Sequence, residues 1–224
     1  MRGAASDFYY QSVRLVPANL VWGVGFLALF ALAAGRGSLV ALVLLPLLAI
    51  PWVGVVRLAA LIVRKDDVVL SDVFEAYRTY LRPTLGVGIA TVLATTVFAT
   101  NVALGLTSGA ALGWAFATLA AWGLVLTWLF SLCFWPLLVD PRRGHLGVMR
   151  KARLAAFLIV AFPGRLGLLG LVLGIILVVS TIAIAAILSI SVAYGALVAC
   201  RVVLPAADRL EARLALTGDR TAIS

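Results

Sequence analysis

The sequence predicts an all-α, polytopic membrane protein: a bundle of about six transmembrane helices with amphipathic helices on its cytoplasmic side. Three observations predict it. Hydrophobic residues make up 64% of the 224 and the mean hydropathy is +1.14, where a soluble domain exposes far more Lys and Glu. Apolar runs long enough for a bilayer core, roughly 20 residues at 1.5 Å each, recur along the chain. The charged residues, 12% of the total, punctuate those runs instead of gathering on one module. The alternation that a membrane β-barrel requires is not present.

The charge balance fits the same class. Lys and Arg total 18 against 9 Asp and Glu, a net charge of +9. Spread between apolar runs, these cations mark loops kept on the cytoplasmic side, and nucleic acid is not an expected partner. All but two are Arg, which suits contact with the phosphates of anionic lipid headgroups. The expected partners are therefore the bilayer and its anionic headgroups.

The elements follow in order. Residues 6–16, "SDFYYQSVRLV", read as an amphipathic helix with aromatics on one side. Residues 18–34 form the first span. Its end, Ala-Leu-Ala, resembles a signal-peptide cleavage site, but Asp7, the patterned aromatic helix and the later spans favour an uncleaved segment. "GRGS" (35–38) is a tight turn. Residues 39–63 form the second span, with Pro46 and Pro51 kinking it.

Residues 71–82, "SDVFEAYRTYLR", are strongly amphipathic. Val73, Phe74, Tyr77, Tyr80 and Leu81 share one side, and Asp72, Glu75, Arg78, Thr79 and Arg82 the other. Ser71 is placed to cap the helix, with acids near its start and arginines near its end. Arg82-Pro83 is expected to break it. Three placements fit such a helix: flat in the interface, packed under the bundle, or presenting its charged face to a cytoplasmic partner.

Residues 84–106 form the third span and 111–139 the Trp-rich fourth, joined by the uncharged turn "TSGA". A charged loop (140–153) leads through a helix at 146–161 to the break "FPGR". In that helix Met149, Ala152, Ala156 and Val160 line one face, with Arg150, Lys151 and Arg153 elsewhere. The run from Leu166 to Ala206 is too long for one crossing: a single helix would be roughly 60 Å. It reads as two spans, 166–182 and 186–206, with the reversal inside 178–191. Six spans place both termini and both charged loops on the cytoplasmic side and leave Arg36 outside.

The chain also reads as three copies of one unit: amphipathic helix, proline break, span, turn, span. "SDFYYQSVRLVPANLVWGVG" (6–25), the 71–88 stretch and 146–170 begin the units, and the lead-in "LIVRKDDVVLSD" (61–72) aligns with "LLVDPRRGHLGV" (137–148).

Catalytic chemistry leaves no trace. Spans one, three and four hold no ionisable residue, all nine acids fall in loops or amphipathic segments, and His145 is the only histidine. There is no paired-His or carboxylate spacing for a metal and no phosphate-binding loop, so no cofactor and no enzymatic activity are expected. Cys133 and Cys200 lie in apolar runs and read as buried hydrophobes. Two membrane-depth arginines stand out, Arg57 and Arg201. Each either snorkels to the headgroups or forms a buried pair, Arg57 with Glu75 or Asp72. Asn101 is a candidate for hydrogen bonding between helices. Glycines 164, 167, 170 and 174 form a small-residue face, for packing within the bundle or between copies in a homo-oligomer.

The segment "FWPLLVDPRRGHLGVMRKARLAAFLIVAFPGRLGLL" (134–169) resembles the YesL-like family of bacterial membrane proteins, defined by a domain of unknown function. "FYYQSVRLVPANLVW" is similar to that family's aromatic helix and span start, here Asn19-Leu20-Val21-Trp22. The tail "AYGALVACRVVLPAADRLEARL" is compatible but lacks the family's Asn-Ser. The resemblance implies a bacterial cytoplasmic membrane and an accessory or regulatory role beside carbohydrate ABC transporters, whose subunits would be the partners. "FEAYRTYLRP" (74–83) resembles the coupling helix of ABC permeases, without that motif's second Ala and its Gly. The expected function is thus a non-enzymatic accessory membrane protein. The alternative is a small-solute transporter or channel lined by the three units.

Overall fold

The computed structural model describes residues 2–35, 37–65, 67–182 and 190–216. Among them every regular element is helical. α1 (Arg2–Tyr10) leads into α2 (Ser12–Ala34). α3 (Ser38–Leu44) passes through a 3-10 turn at Leu45–Leu48 into α4 (Ala49–Arg64). α5 (Ser71–Thr107) and α6 (Ala111–Val139) follow, then a 3-10 turn at Pro141–Arg143. α7 (Val148–Ala161), α8 (Pro163–Ile182) and α9 (Val192–Leu216) complete the described chain. Five segments are long and apolar enough to cross a membrane: Ser12–Ala34, Ser38–Arg64, Ser71–Thr107, Ala111–Val139 and Pro163–Ser180.

Antiparallel pairs build the bundle. In α5 and α6 the backbones touch: a Cβ at Gly105 would lie 2.5 Å from the Gly113 carbonyl, so only glycine allows the approach. Further along, Phe98 packs on Gly123. α8 and α9 run antiparallel, with Leu173 against Gly195 and a 2.6 Å hydrogen bond between the Ser180 and Ser191 hydroxyls. The reversal expected within 178–191 falls largely on residues 183–189, outside the described residues; its two flanks have opposite directions. α4 and α9 are parallel, since Cys200 approaches the Val56 carbonyl and Asp208 meets Arg64 at the same sequence offset of 144. The C-terminal parts of α4, α6 and α9 therefore converge at one end of the bundle, where Val53–Ile62, Leu132–Val139 and Ala196–Ala207 supply most of the core.

Several boundaries correct the sequence reading. The helix expected at 6–16 divides at Gln11, and Pro17 lies inside α2. The second span is interrupted by the 3-10 turn at Leu45–Leu48, which holds Pro46, while Pro51 lies in the first turn of α4. The break expected at Arg82-Pro83 does not occur: α5 is continuous for 37 residues, about 55 Å. The reason is phase. Buried positions Val73, Ala76, Thr84 and Gly88 and half-buried Tyr77, Tyr80 and Val87 keep one helical stripe across the proline. Packing on α4 holds that stripe on both sides of the missing hydrogen bond, with Val73 and Tyr77 seated on Gly54 and residue 88 against Ala49 and Pro46.

α7 also turns differently. Lys151, Leu154, Ala155 and Leu158 face the bundle, while Met149 and Val160 are 69% and 79% exposed. Of the face that Met149, Ala152, Ala156 and Val160 share, Ala152 alone packs against the core. Inward burial goes to Leu154 and Leu158, which are larger than the alanines of the other face. Among the four glycines at the start of α8, Gly170 alone packs closely, against Leu129 of α6, while positions 164, 167 and 174 face open space.

Candidate functional site

The converging ends of α4, α6 and α9 carry opposite charges. Arg64 is the last residue of α4, Asp140 follows α6, and Asp208 lies on α9. Asp140 is fully buried, and Arg64 and Arg143 expose 6% and 3% of their side chains. The Arg64 guanidinium donates to both Asp140 oxygens, at 3.0 and 2.6 Å, and to both Asp208 oxygens, at 2.6 and 3.0 Å. Arg143 donates to Asp140, to Asp208 at 2.7 Å and to Glu211 at 3.0 and 2.6 Å. Arg142 adds a looser contact to Asp208 at 3.8 Å, and its backbone N–H donates to Asp140. Arg64 meets Asp140 and Asp208, and Arg143 meets Glu211, each through two hydrogen bonds, a two-pronged geometry that Lys cannot reproduce.

Local sequence places each group. Asp140-Pro141 stops α6, because the residue before proline is driven out of helical backbone, and the Asp140 side chain then caps the 3-10 turn that carries Arg143. α6 leaves its last carbonyls without partners. Arg57 donates to the Val139 carbonyl at 2.7 Å, and Lys151 to the Leu138 carbonyl at 2.8 Å, under the Tyr80 ring. Both cations sit at the negative end of the α6 dipole. Burial lowers the pKa of Lys151, offset in part by Asp140.

Asp208 is the carboxylate of this cluster whose pKa the arginines depress. Its partial burial pushes the carboxyl pKa up, but the hydrogen bonds and charges of Arg64 and Arg143 together outweigh that and hold it below the ordinary carboxylate range. The folded group is the stronger acid, so its ionised form stabilises the fold above the ordinary range near pH ~4. That contribution is lost as pH falls through the folded pKa. Thermal melts of the detergent-solubilised chain are expected to hold steady down to about pH 5 and to fall below it. Asp208→Asn flattens the acid limb if this group carries it.

The candidates read from sequence disperse. Arg57 does not reach Glu75 or Asp72. Because Val73 and Ala76 seat α5 on α4, Glu75, Arg78 and Arg82 point outward and are exposed, and Asp72 accepts from the Val69 N–H at the start of its own helix. Arg201 pairs with Asp7 of α1, which ties the N-terminal helix to α9. Asn101 donates to Val97 of its own helix and is exposed, and among the described residues it forms no hydrogen bond to another helix. Lys151 is buried instead of offered to a partner, while Arg150 and Arg153 are exposed.

Asn19 takes the role foreseen for Asn101. It is fully buried, and its side-chain oxygen accepts from the Ala193 N–H at 2.8 Å. The bond ties α2 to α9 across the core. Asn19→Leu removes this buried hydrogen bond and is expected to lower stability by about 1 kcal/mol, measured as a drop in melting temperature.

Among α2, α4, α5, α6, α8 and α9 lies a cavity of about 500 Å³. Trp22, Phe26, Trp52, Trp128 and Trp135 line it, with Leu173 and Gly195 on the far wall. Trp128 donates its indole N–H to the Gly170 carbonyl, so that ring is fixed. The lining is almost wholly apolar. No family model matches the chain, and neither a curated protein nor a solved structure matches it.

Proposed function

We propose that the chain is a non-enzymatic accessory protein of the bacterial cytoplasmic membrane. It crosses six times as three hairpin units, keeps both termini inside, and docks a membrane transporter through its cytoplasmic helices. One observation carries this reading: α5 continues past the end of α6 as a rigid arm with a charged outer face. The α5–α6 register, Gly105 beside Gly113 and Phe98 beside Gly123, sets Val139 near Arg82. Residues 71–81 then extend beyond α6 for roughly 16 Å. Phe74, Glu75, Arg78, Leu81 and Arg82 are exposed along that arm. Packing of Val73 and Tyr77 on Gly54 of α4 stiffens that arm, and the carboxylates of the buried ion network are matched by arginines. The resemblance to YesL-like proteins supports a carbohydrate ABC transporter as the partner, and sixfold crossing is supported by the antiparallel return of α9 along α8.

A photo-crosslinker placed at Arg78 is expected to capture a larger membrane polypeptide in intact cells, and one at Trp114, at the other end of the bundle, is not. Equal labelling patterns at the two sites, or none at Arg78, removes the support for docking.

The Trp-lined cavity favours a second reading, passage or storage of a small solute. Its apolar walls select an uncharged, hydrophobic molecule and not an ion. Uptake of such a solute into vesicles containing the purified chain, above that of empty vesicles, is the result that would favour it over docking.

A further inference from the structure

We propose that a groove between α8 and α9 is a binding site for one anionic phospholipid, whose phosphodiester is held by Arg165 and Arg201 and whose acyl chain lies on the apolar walls. The groove has a volume of about 170 Å³. Leu169 and Val172 of α8 and Val198 and Val202 of α9 form its sides. Because the two helices are antiparallel, Arg165 near the start of α8 and Arg201 late in α9 stand at the same end. The other end of the groove is hydrocarbon. This is the polarity of a lipid molecule: a charged head against two guanidinium groups and a tail along leucine and valine. The neighbouring outer surface of α8 is apolar as well, with Leu168 and Leu171 63% and 62% exposed, so the groove opens towards acyl chains.

The charges leave room for one anion. Arg165 is exposed and forms no ion pair among the described residues. Arg201 gives one terminal nitrogen to Asp7, and its Nε has no acceptor. Two guanidinium groups and one carboxylate sum to a single positive charge, which a singly charged phosphodiester neutralises. Arginine pairs with phosphate through two parallel hydrogen bonds. A headgroup bearing an ammonium would bring a third cation beside the two arginines, so a lipid such as phosphatidylglycerol is favoured over phosphatidylcholine. α1 contributes to the site through Asp7 and through Ala4, which also borders the groove. The proposal needs the chain to lie in a bilayer and is independent of any docking partner.

The test uses the full chain, purified and delipidated in detergent, with native mass spectrometry counting bound lipid. The probes are phosphatidylglycerol, phosphatidylcholine with the same chains, and inorganic phosphate. Arg165→Gln removes the exposed, unpaired arginine and is expected to leave the fold intact. Val172→Trp fills the groove while sparing both arginines. Phosphatidylglycerol is expected to bind preferentially to the wild type. Arg165→Gln should weaken that binding roughly tenfold, the scale of one charge-assisted hydrogen bond, and Val172→Trp should abolish the preference. Equal retention of the two lipids by the wild type overturns the headgroup assignment. Phosphatidylglycerol binding unchanged in both variants places the lipid elsewhere and overturns the site. Inorganic phosphate that competes with the lipid at similar concentration and depends on Arg165 makes this a free-anion site and overturns the lipid.

Discussion

Asp140→Ala is expected to destabilise the chain by about 3–5 kcal/mol, the range for removing one partner of a buried ion pair. Asp140 is the hub of the network. It is fully buried and accepts from Arg64, Arg143 and the Arg142 backbone. Its removal leaves two guanidinium groups, each less than a tenth exposed, facing the end of α6 with only the outer carboxylates Asp208 and Glu211. Those are about a third exposed and return less in the higher local dielectric. Asp140→Asn keeps the shape but turns an amide donor towards arginine donors, so rescue is partial at best. Melting temperature in detergent, checked for reversible refolding, measures both variants. A melt for Asp140→Ala within about 0.5 kcal/mol of wild type, the size of a neutral surface change, would show that the network contributes little to stability.

Arg64→Leu is the second large effect. Arg64 joins three descending helices: it belongs to α4 and binds the carboxylates of Asp140 after α6 and Asp208 on α9. Its loss is expected to cost about 3–5 kcal/mol, and Arg64→Lys recovers only part, because one ammonium cannot bridge two carboxylates bidentately. The pair Arg64→Leu with Asp140→Leu removes one buried charge of each sign and leaves Arg143 to Asp208 and Glu211. Its cost is expected to fall short of the sum of the single variants by about 1–3 kcal/mol, the coupling of groups in one network. Strict additivity in that cycle contradicts a direct interaction.

The bundle was legible because apolar run length and the spacing of charges are set by the bilayer itself. The ion network was not, for a definite reason. Arg64 and Asp140 read as loop markers when each is considered against its own run, and nothing local distinguishes a solvated loop charge from a buried one. The signal lay in the alignment of "LIVR" (61–64) with "LLVD" (137–140), which puts opposite charges at one position of two units. Helix ends that occupy equivalent places in a bundle can meet. Pro83 misled because proline disfavours helix locally, while the unbroken stripe through Thr84 and Gly88 shows that tertiary packing overrides that preference. Asn19 and Asn101 are both polar residues in apolar runs, and sequence alone does not say which one faces another helix.

Docking through the cytoplasmic helices requires, as we propose, that the ion network lie inside the cell and the α5–α6 tip outside. His145, exposed beside the network, and Gly109, at the tip, are suitable reporters. Single cysteines introduced as His145→Cys and Gly109→Cys, with Cys133 and Cys200 replaced by Ala, are treated in intact cells with a membrane-impermeant maleimide. Labelling at 109, and at 145 only after the membrane is opened, is the predicted result. Labelling at 145 in intact cells contradicts it.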